Sequence, residues 1–169
     1  MPNSPAPEGY TTLMPYLRVR GADDAVAFYK AAFGAKVRMR LTMPDDRLGH
    51  AELLIGGAVL MLSDEFPEMG IVGPKALKGT TVTLMLYVAD VDKALAKAVA
   101  AGAKVLAPAK DEFYGDRTAK IEDPFGHVWS LQKQLEKLTP KEVQRRLDQM
   151  MSGGTDAPPS KLSRSKKKS

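Results

Sequence analysis

The sequence predicts an α+β protein built from two paired βαβββ modules with a C-terminal helix. Three observations carry that expectation. Gly34-Ala35-Lys36-Val37 recurs as Gly102-Ala103-Lys104-Val105, and each copy closes a strand-then-helix unit of the same length. The units are Tyr16-Leu17-Arg18-Val19 followed by 23–33, and Leu86-Tyr87-Val88 followed by 90–101. Asp46-Arg47 in the first half is answered by Asp116-Arg117 in the second, each just ahead of a new strand. A repeat of nearly seventy residues, in only two copies, is no solenoid. It marks a duplicated module, and ligand sites often form where such halves meet.

Each element has its own signal. Residues 11–20 alternate and are rich in β-formers, so they read as a strand. Ala25, Val26, Phe28, Tyr29, Ala32 and Phe33 keep helical spacing within 21–33, with Asp23 or Asp24 near the start and Gly34 just past the end. A strand over 36–43 stops at the turn signal Pro44-Asp45-Asp46. Residues 48–55 and 58–63 form a hairpin around Gly56-Gly57, and 64–79, rich in Pro and Gly, link the halves. The order then repeats as 81–88, the helix 91–101, 104–108, 117–122 and 127–133. Thr139 and Pro140 suit the N-cap and first position of a helix reaching about Met151, with Val143, Leu147, Met150 and Met151 on one face. The expected divisions are a flexible 1–10, modules at 11–72 and 73–135, a helix within 136–152 and a disordered basic tail at 153–169.

Composition excludes several function classes. Apolar residues make up 44% and charged residues 27%, as in ordinary globular proteins. No apolar run approaches the length of a membrane span. Zero cysteines removes disulfides, thiolate nucleophiles and thiolate metal sites. With no export signal in 1–9, the expected location is the cytoplasm. The net charge of +5 is a property of the tail, where Lys161, Arg164, Lys166, Lys167 and Lys168 stand without an acid. Without those five, 20 basic residues balance 20 acidic ones. No aromatic side chain interleaves with the tail charges, so it reads as a solubilising tail and nucleic acid is not the expected partner.

The ordered pair of βαβββ units resembles the vicinal oxygen chelate superfamily of glyoxalase I, extradiol dioxygenases and the fosfomycin and bleomycin resistance proteins. Local sequence points to its PhnB-like branch. The matching residues are Ala27-Phe28-Tyr29-Lys30-Ala31-Ala32-Phe33-Gly34, His50-Ala51-Glu52-Leu53, Leu86-Tyr87-Val88 with Asp90-Val91-Asp92, Phe113-Tyr114-Gly115-Asp116-Arg117 and Asp123-Pro124-Phe125-Gly126-His127. The resemblance covers about 11–134 and implies a curved mixed sheet, the glyoxalase/bleomycin resistance/dioxygenase fold, in which each module is a half-barrel with the site on its concave face. It also implies a homodimer. Fold alone does not fix function here.

Strand alternation then sorts side chains. Leu17, Val19, Ala51, Leu53, Ile55, Trp129 and Leu131 are expected in the core, with the apolar set Val82, Leu84, Leu86 and Val88 on the fifth strand. The concave face is expected to carry Met14, Tyr16, Arg18, His50, Glu52, Thr81, Thr83, Met85, Tyr87, Val128, Ser130 and Gln132. Metal-dependent members of the family hold a divalent ion with His, Gln or Glu from the first, fourth, fifth and eighth strands. Matching strand motifs puts Met14, Met61, Thr83 and Ser130 at those positions: two thioethers and two hydroxyls, unsuited to a hard or borderline cation. Neither cofactor nor metal is therefore expected, although His50 and Glu52 could supply two ligands of a non-standard site if Glu122 or Asp116 gave a third.

The candidate site follows. Met14, Met61 and Met85 share a face and suit an irregular apolar ligand. Tyr16, Tyr87 and Tyr114 offer ring faces with polar tips, and Arg117 a fixed cationic fork, unless Asp116-Arg117 is only an internal ion pair. With Thr83 and Ser130, these are the ligand-binding candidates. His50, oriented by Glu52, is the one credible catalytic pair. The expected function is binding of a small, partly apolar or aromatic molecule without metal. The alternatives are a metal-dependent lyase or dioxygenase with a non-standard site, or a metal-free isomerase using His50.

Overall fold

In the computed structural model, which describes residues 5–152, the duplication appears as two four-stranded sheets with the same connectivity. The first module runs β1 (Tyr16–Val19), α1 (Ala22–Phe33), β2 (Lys36–Thr42), β3 (Leu48–Ile55) and β4 (Ala58–Asp64). A 3-10 turn (Pro67–Met69) and a short helix α2 (Pro74–Leu77) lead to β5 (Thr83–Tyr87), α3 (Val91–Ala100), β6 (Lys104–Asp111), β7 (Asp116–Glu122), β8 (Val128–Gln134) and α4 (Pro140–Ser152). The sheet orders are β1-β4-β3-β2 and β5-β8-β7-β6, with β1–β4 and β5–β8 parallel and the rest antiparallel. Both are mixed sheets, as expected. The tail at 153–169 lies outside the described residues.

The helices form the shared layer. Tyr29 and Phe28 of α1 are buried, and α1 packs along α3 as well as on its own sheet. One core cluster takes Leu53 and Leu62 from the first module with Ile121, Phe125 and Trp129 from the second. Bonded to two of its aromatics is Asp123, 2% exposed, whose Oδ2 accepts from Tyr29 Oη at 2.7 Å and Trp129 Nε1 at 2.9 Å. Its Oδ1 accepts from the amides of Phe125 and His127, each at 2.9 Å. Burial first, then the charge of Asp123, pushes the Tyr29 phenol well above its ordinary pKa. His127 Nε2 reaches the Arg18 carbonyl at 3.2 Å, so this turn ties β1 to the second module.

Boundaries moved for local reasons. Pro15 precedes β1, which is shorter than the expected 11–20. The strand expected to stop at Pro108 continues to Asp111, because β6 is an outer strand where a missing N–H costs no ladder bond. Val82 lies before β5 and is exposed, not core. Neither aspartate near α1's start caps it. Asp64 Oδ1, from the end of β4, accepts from the amides of Gly21 (3.0 Å) and Ala22 (2.9 Å) instead. Gly34 ends α1 in the left-handed region, at φ 67°.

Candidate functional site

Alternation on β1 and β3 buries Leu17, Val19, Ala51 and Leu53 and turns Tyr16, Arg18, His50 and Glu52 to the face away from the helices. Strand register sets them side by side: Tyr16 lies opposite Met61, Met61 opposite Glu52, and Arg18 opposite Ser63. A continuous polar chain results. Tyr10 Oη donates to Glu52 Oε2 at 2.8 Å, His50 Nε2 lies 3.3 Å from Glu52 Oε1, and Tyr16 Oη lies 2.8 Å from His50 Nδ1. Glu52 is buried, which favours the neutral acid, but hydrogen bonds from Tyr10 and His50 and the charges of His50 and Arg38 outweigh burial and hold its pKa below the ordinary value. When His50 is neutral, an ionised Glu52 selects the tautomer in which Nε2–H donates to the carboxylate and Nδ1 accepts the Tyr16 proton. Arg18 Cζ sits 4.0 Å over the Tyr16 ring, and Arg38 Cζ 4.4 Å over that of Tyr10.

The corresponding face of the second module is chemically different. Tyr87 Oη donates to buried Asp116 at 3.3 Å, and the charge of Asp116 raises the Tyr87 pKa. Thr118 Oγ1 donates to Glu112 Oε1 at 3.1 Å, and Gln132 Nε2 to Ser130 Oγ at 3.2 Å. Tyr114 is half-buried, edge-on to Phe113 with ring centroids 5.2 Å apart. Arg117 does not pair with Asp116. Its Nε and Nη2 hold both oxygens of Asp92 at 2.8 Å, and its Nη1 holds Asp111 at 2.7 Å, so the fork is fully engaged. Arg47 likewise pairs with Asp45 and Glu68, each at 2.7 Å, not with Asp46.

The four positions that hold metal in the family do not fit one here. Met14 and Met61 offer thioethers, Thr83 a hydroxyl, and the Ser130 hydroxyl already accepts from Gln132. Among the described residues, no three His, Asp or Glu side chains cluster to hold an ion. Met14, Thr83 and Met85 line one apolar cavity of about 530 Å³ between β5 and the first module's β4 and 13–15 segment, while Met61 and Ser130 are not among its lining residues. A second cavity, of about 590 Å³, opens beside Tyr16 and Arg18 and is walled by Val72, Pro74, Leu77 and Thr81. Tyr87 and Tyr114 line neither of these cavities.

Sequence reasoning paired His50 with Glu52 but missed Tyr10, which was placed in the flexible N-terminus. No local signal could have shown it, because its partner is 42 residues away.

Two βαβββ units whose helices share one core define a paired-module protein. A family model for the Glyoxalase/Bleomycin resistance protein/Dioxygenase superfamily matches residues 10–131, and the chain belongs to that superfamily. It is 39% identical over 144 residues to the uncharacterized protein Rv0887c of Mycobacterium tuberculosis, covering 83% of this chain and 85% of that one. The X-ray structure of the Arabidopsis thaliana gene product At5g48480 superposes with a TM-score of 0.58 at 31% identity, covering 71% of this chain and 94% of the other. TioX from Micromonospora sp. ML1 gives a TM-score of 0.58 at 26% identity, covering 73% of this chain and 98% of the other.

Proposed function

We propose that the protein binds a small, partly apolar or aromatic molecule, without metal, on the faces that its two sheets turn away from the helices. One observation carries this: Tyr16, Met85 and Tyr87 stand there 40%, 63% and 64% exposed, a density of large side chains that a ligand or a second chain would cover. The partner we assign is a second copy. β1 and β5 are both sheet edges, and Tyr16 and Tyr87 share neither of the two cavities described above. A homodimer that sets one face against the other would enclose the site. Local motifs support placing the protein in the PhnB-like branch, and the absence of cysteine fits a cytoplasmic location. Thermal unfolding with a panel of small aromatic compounds, and with Ni, Zn, Mn and Fe(II), tests the reading. A ligand at a hundred times its Kd should add about 2.7 kcal/mol, whereas the metals should leave the midpoint unmoved. One bound metal per chain with a large shift, and no response to aromatics, would overturn it.

The Tyr16–His50–Glu52 chain supports a second reading, proton transfer without metal. A buried carboxylate that orients an imidazole, which in turn accepts from a hydroxyl, is the arrangement of a positioned general base. His50→Ala separates the two: an isomerase loses turnover, while a binding protein loses at most modest affinity.

A further inference from the structure

Of the eight arginines among the described residues, six are neutralised. Arg20, Arg40, Arg47, Arg117, Arg145 and Arg146 each hold a carboxylate. Arg38 and Arg18 hold none among the described residues, and Arg38 is engaged by the Gly9 carbonyl at 2.8 Å and the Tyr10 ring. Arg18 is half-buried, its Nη1 donates to Ser63 Oγ at 2.5 Å, and its Nε and Nη2 donors make no bond to the other described residues. Those two donors form one planar edge of the guanidinium, spaced to meet both oxygens of a carboxylate at once. The edge belongs to a side chain that lines the cavity of about 590 Å³, and no acidic side chain is among that cavity's lining residues. Val72, Pro74 and Leu77 give the same cavity an apolar wall. A half-buried cation with no carboxylate partner among the described residues, and with one edge of its fork open, favours an anion at that spot.

We propose that this cavity takes a small apolar or aromatic carboxylate, its head group gripped by Arg18 and its apolar body against Val72, Pro74 and Leu77. The inference rests on the small-molecule reading above and narrows it to a charge class. Arg18 thus acts as a specificity-determining residue, which the open fork and the acid-free lining indicate together.

The test is a pair of probes of matched shape, 1-naphthoate and the neutral 1-naphthalenemethanol, titrated by fluorescence at fixed ionic strength against the full chain. The wild type should bind the carboxylate about tenfold more tightly or better, as a charge-assisted bidentate contact requires. Arg18→Met should abolish that preference and leave the alcohol's affinity unchanged. Arg40→Met removes one positive charge on the side of the sheet that meets Asp23 of α1, and it should keep the preference. If Arg18→Met melts without the wild-type cooperativity, Arg18→Lys decides instead: it keeps the charge, loses the fork and should lose most of the preference. Equal affinity for the two probes in the wild type, or a preference that survives substitution of Arg18, overturns the inference and leaves the small-molecule reading standing. Binding of neither probe overturns both.

Discussion

Replacing Asp123 with Asn tests what holds the two modules in one body. The carboxylate is 2% exposed and accepts from four donors, two of them side chains on Oδ2. Asn retains an oxygen for the amides of Phe125 and His127 but places an NH2 group where Oδ2 was. The Tyr29 hydroxyl can turn and accept from it. The Trp129 indole is a donor only, so it is orphaned against another donor. One buried unsatisfied donor costs about 1–3 kcal/mol, and the remaining bonds lose their charge assistance, for a total of about 3–5 kcal/mol. At about 2–4 °C per kcal/mol for a chain of this size, the midpoint should fall by roughly 6–20 °C. Trp129 is the only tryptophan, so its fluorescence reports both the local change and the global transition. Urea unfolding followed by that signal should give a lower midpoint with an unchanged slope. A loss under about 1 kcal/mol, with native emission unaltered, would refute the idea that this buried cluster clamps the modules. A cycle with Tyr29→Phe should show clear non-additivity, since the two side chains touch.

Other outcomes follow from the same geometry. Glu52→Gln should destabilise the fold by about 1–3 kcal/mol at neutral pH through loss of charge-assisted bonds. Because the folded Glu52 pKa is depressed, the ionised form stabilises the native state above the unfolded value near about 4.3 and is lost as pH falls through the lower folded value. The gap between wild type and Glu52→Gln should therefore close below about pH 4.3 in unfolding curves measured from pH 7 downward, and a constant gap would contradict the assignment. At Gly73, an added Cβ would run into the Arg18 carbonyl, so Gly73→Ala should cost about 1–3 kcal/mol in a thermal melt. Thr139 Oγ1 accepts from the Glu142 amide at 3.2 Å. Thr139→Ala should weaken α4 by about 1 kcal/mol, visible as faster amide exchange over 140–152 with the global midpoint unchanged.

How much of this could be read in the sequence depended on the range of each interaction. The GAKV repeat and strand alternation are local patterns. They placed β3 at Leu48–Ile55 with Ala51, Leu53 and Ile55 buried, and the Thr139-Pro140 signal placed α4. Distances across the sheet were not legible. Asp64 caps α1 from 42 and 43 residues away, and Arg117 reaches 25 residues back to Asp92, bypassing its neighbour Asp116. Adjacent residues on a strand point to opposite faces, so the pairing suggested by Asp116-Arg117, both on β7, was geometrically disfavoured from the outset. Within the site, the His50–Glu52 pair was visible because the two residues share one strand face. Tyr10 was not, because only the fold brings it there.

The buried helix layer leaves the two halves of this duplication with different freedoms. On the inner side, α1 rests on Trp129 and bonds to Asp123, so neither copy can drift without the other. On the outer side the two sheets carry unlike side chains, and there the symmetry has broken. By strand register Glu52 has its counterpart in Lys120, and Met61 in Ser130. Carboxylate has become ammonium and thioether has become hydroxyl, while the frame beneath stays common. One ancestral half-site has in effect become two unlike ones, a wall carrying the Tyr16–His50–Glu52 chain and a wall carrying Lys120 and the Ser130 hydroxyl, on a single rigid mount.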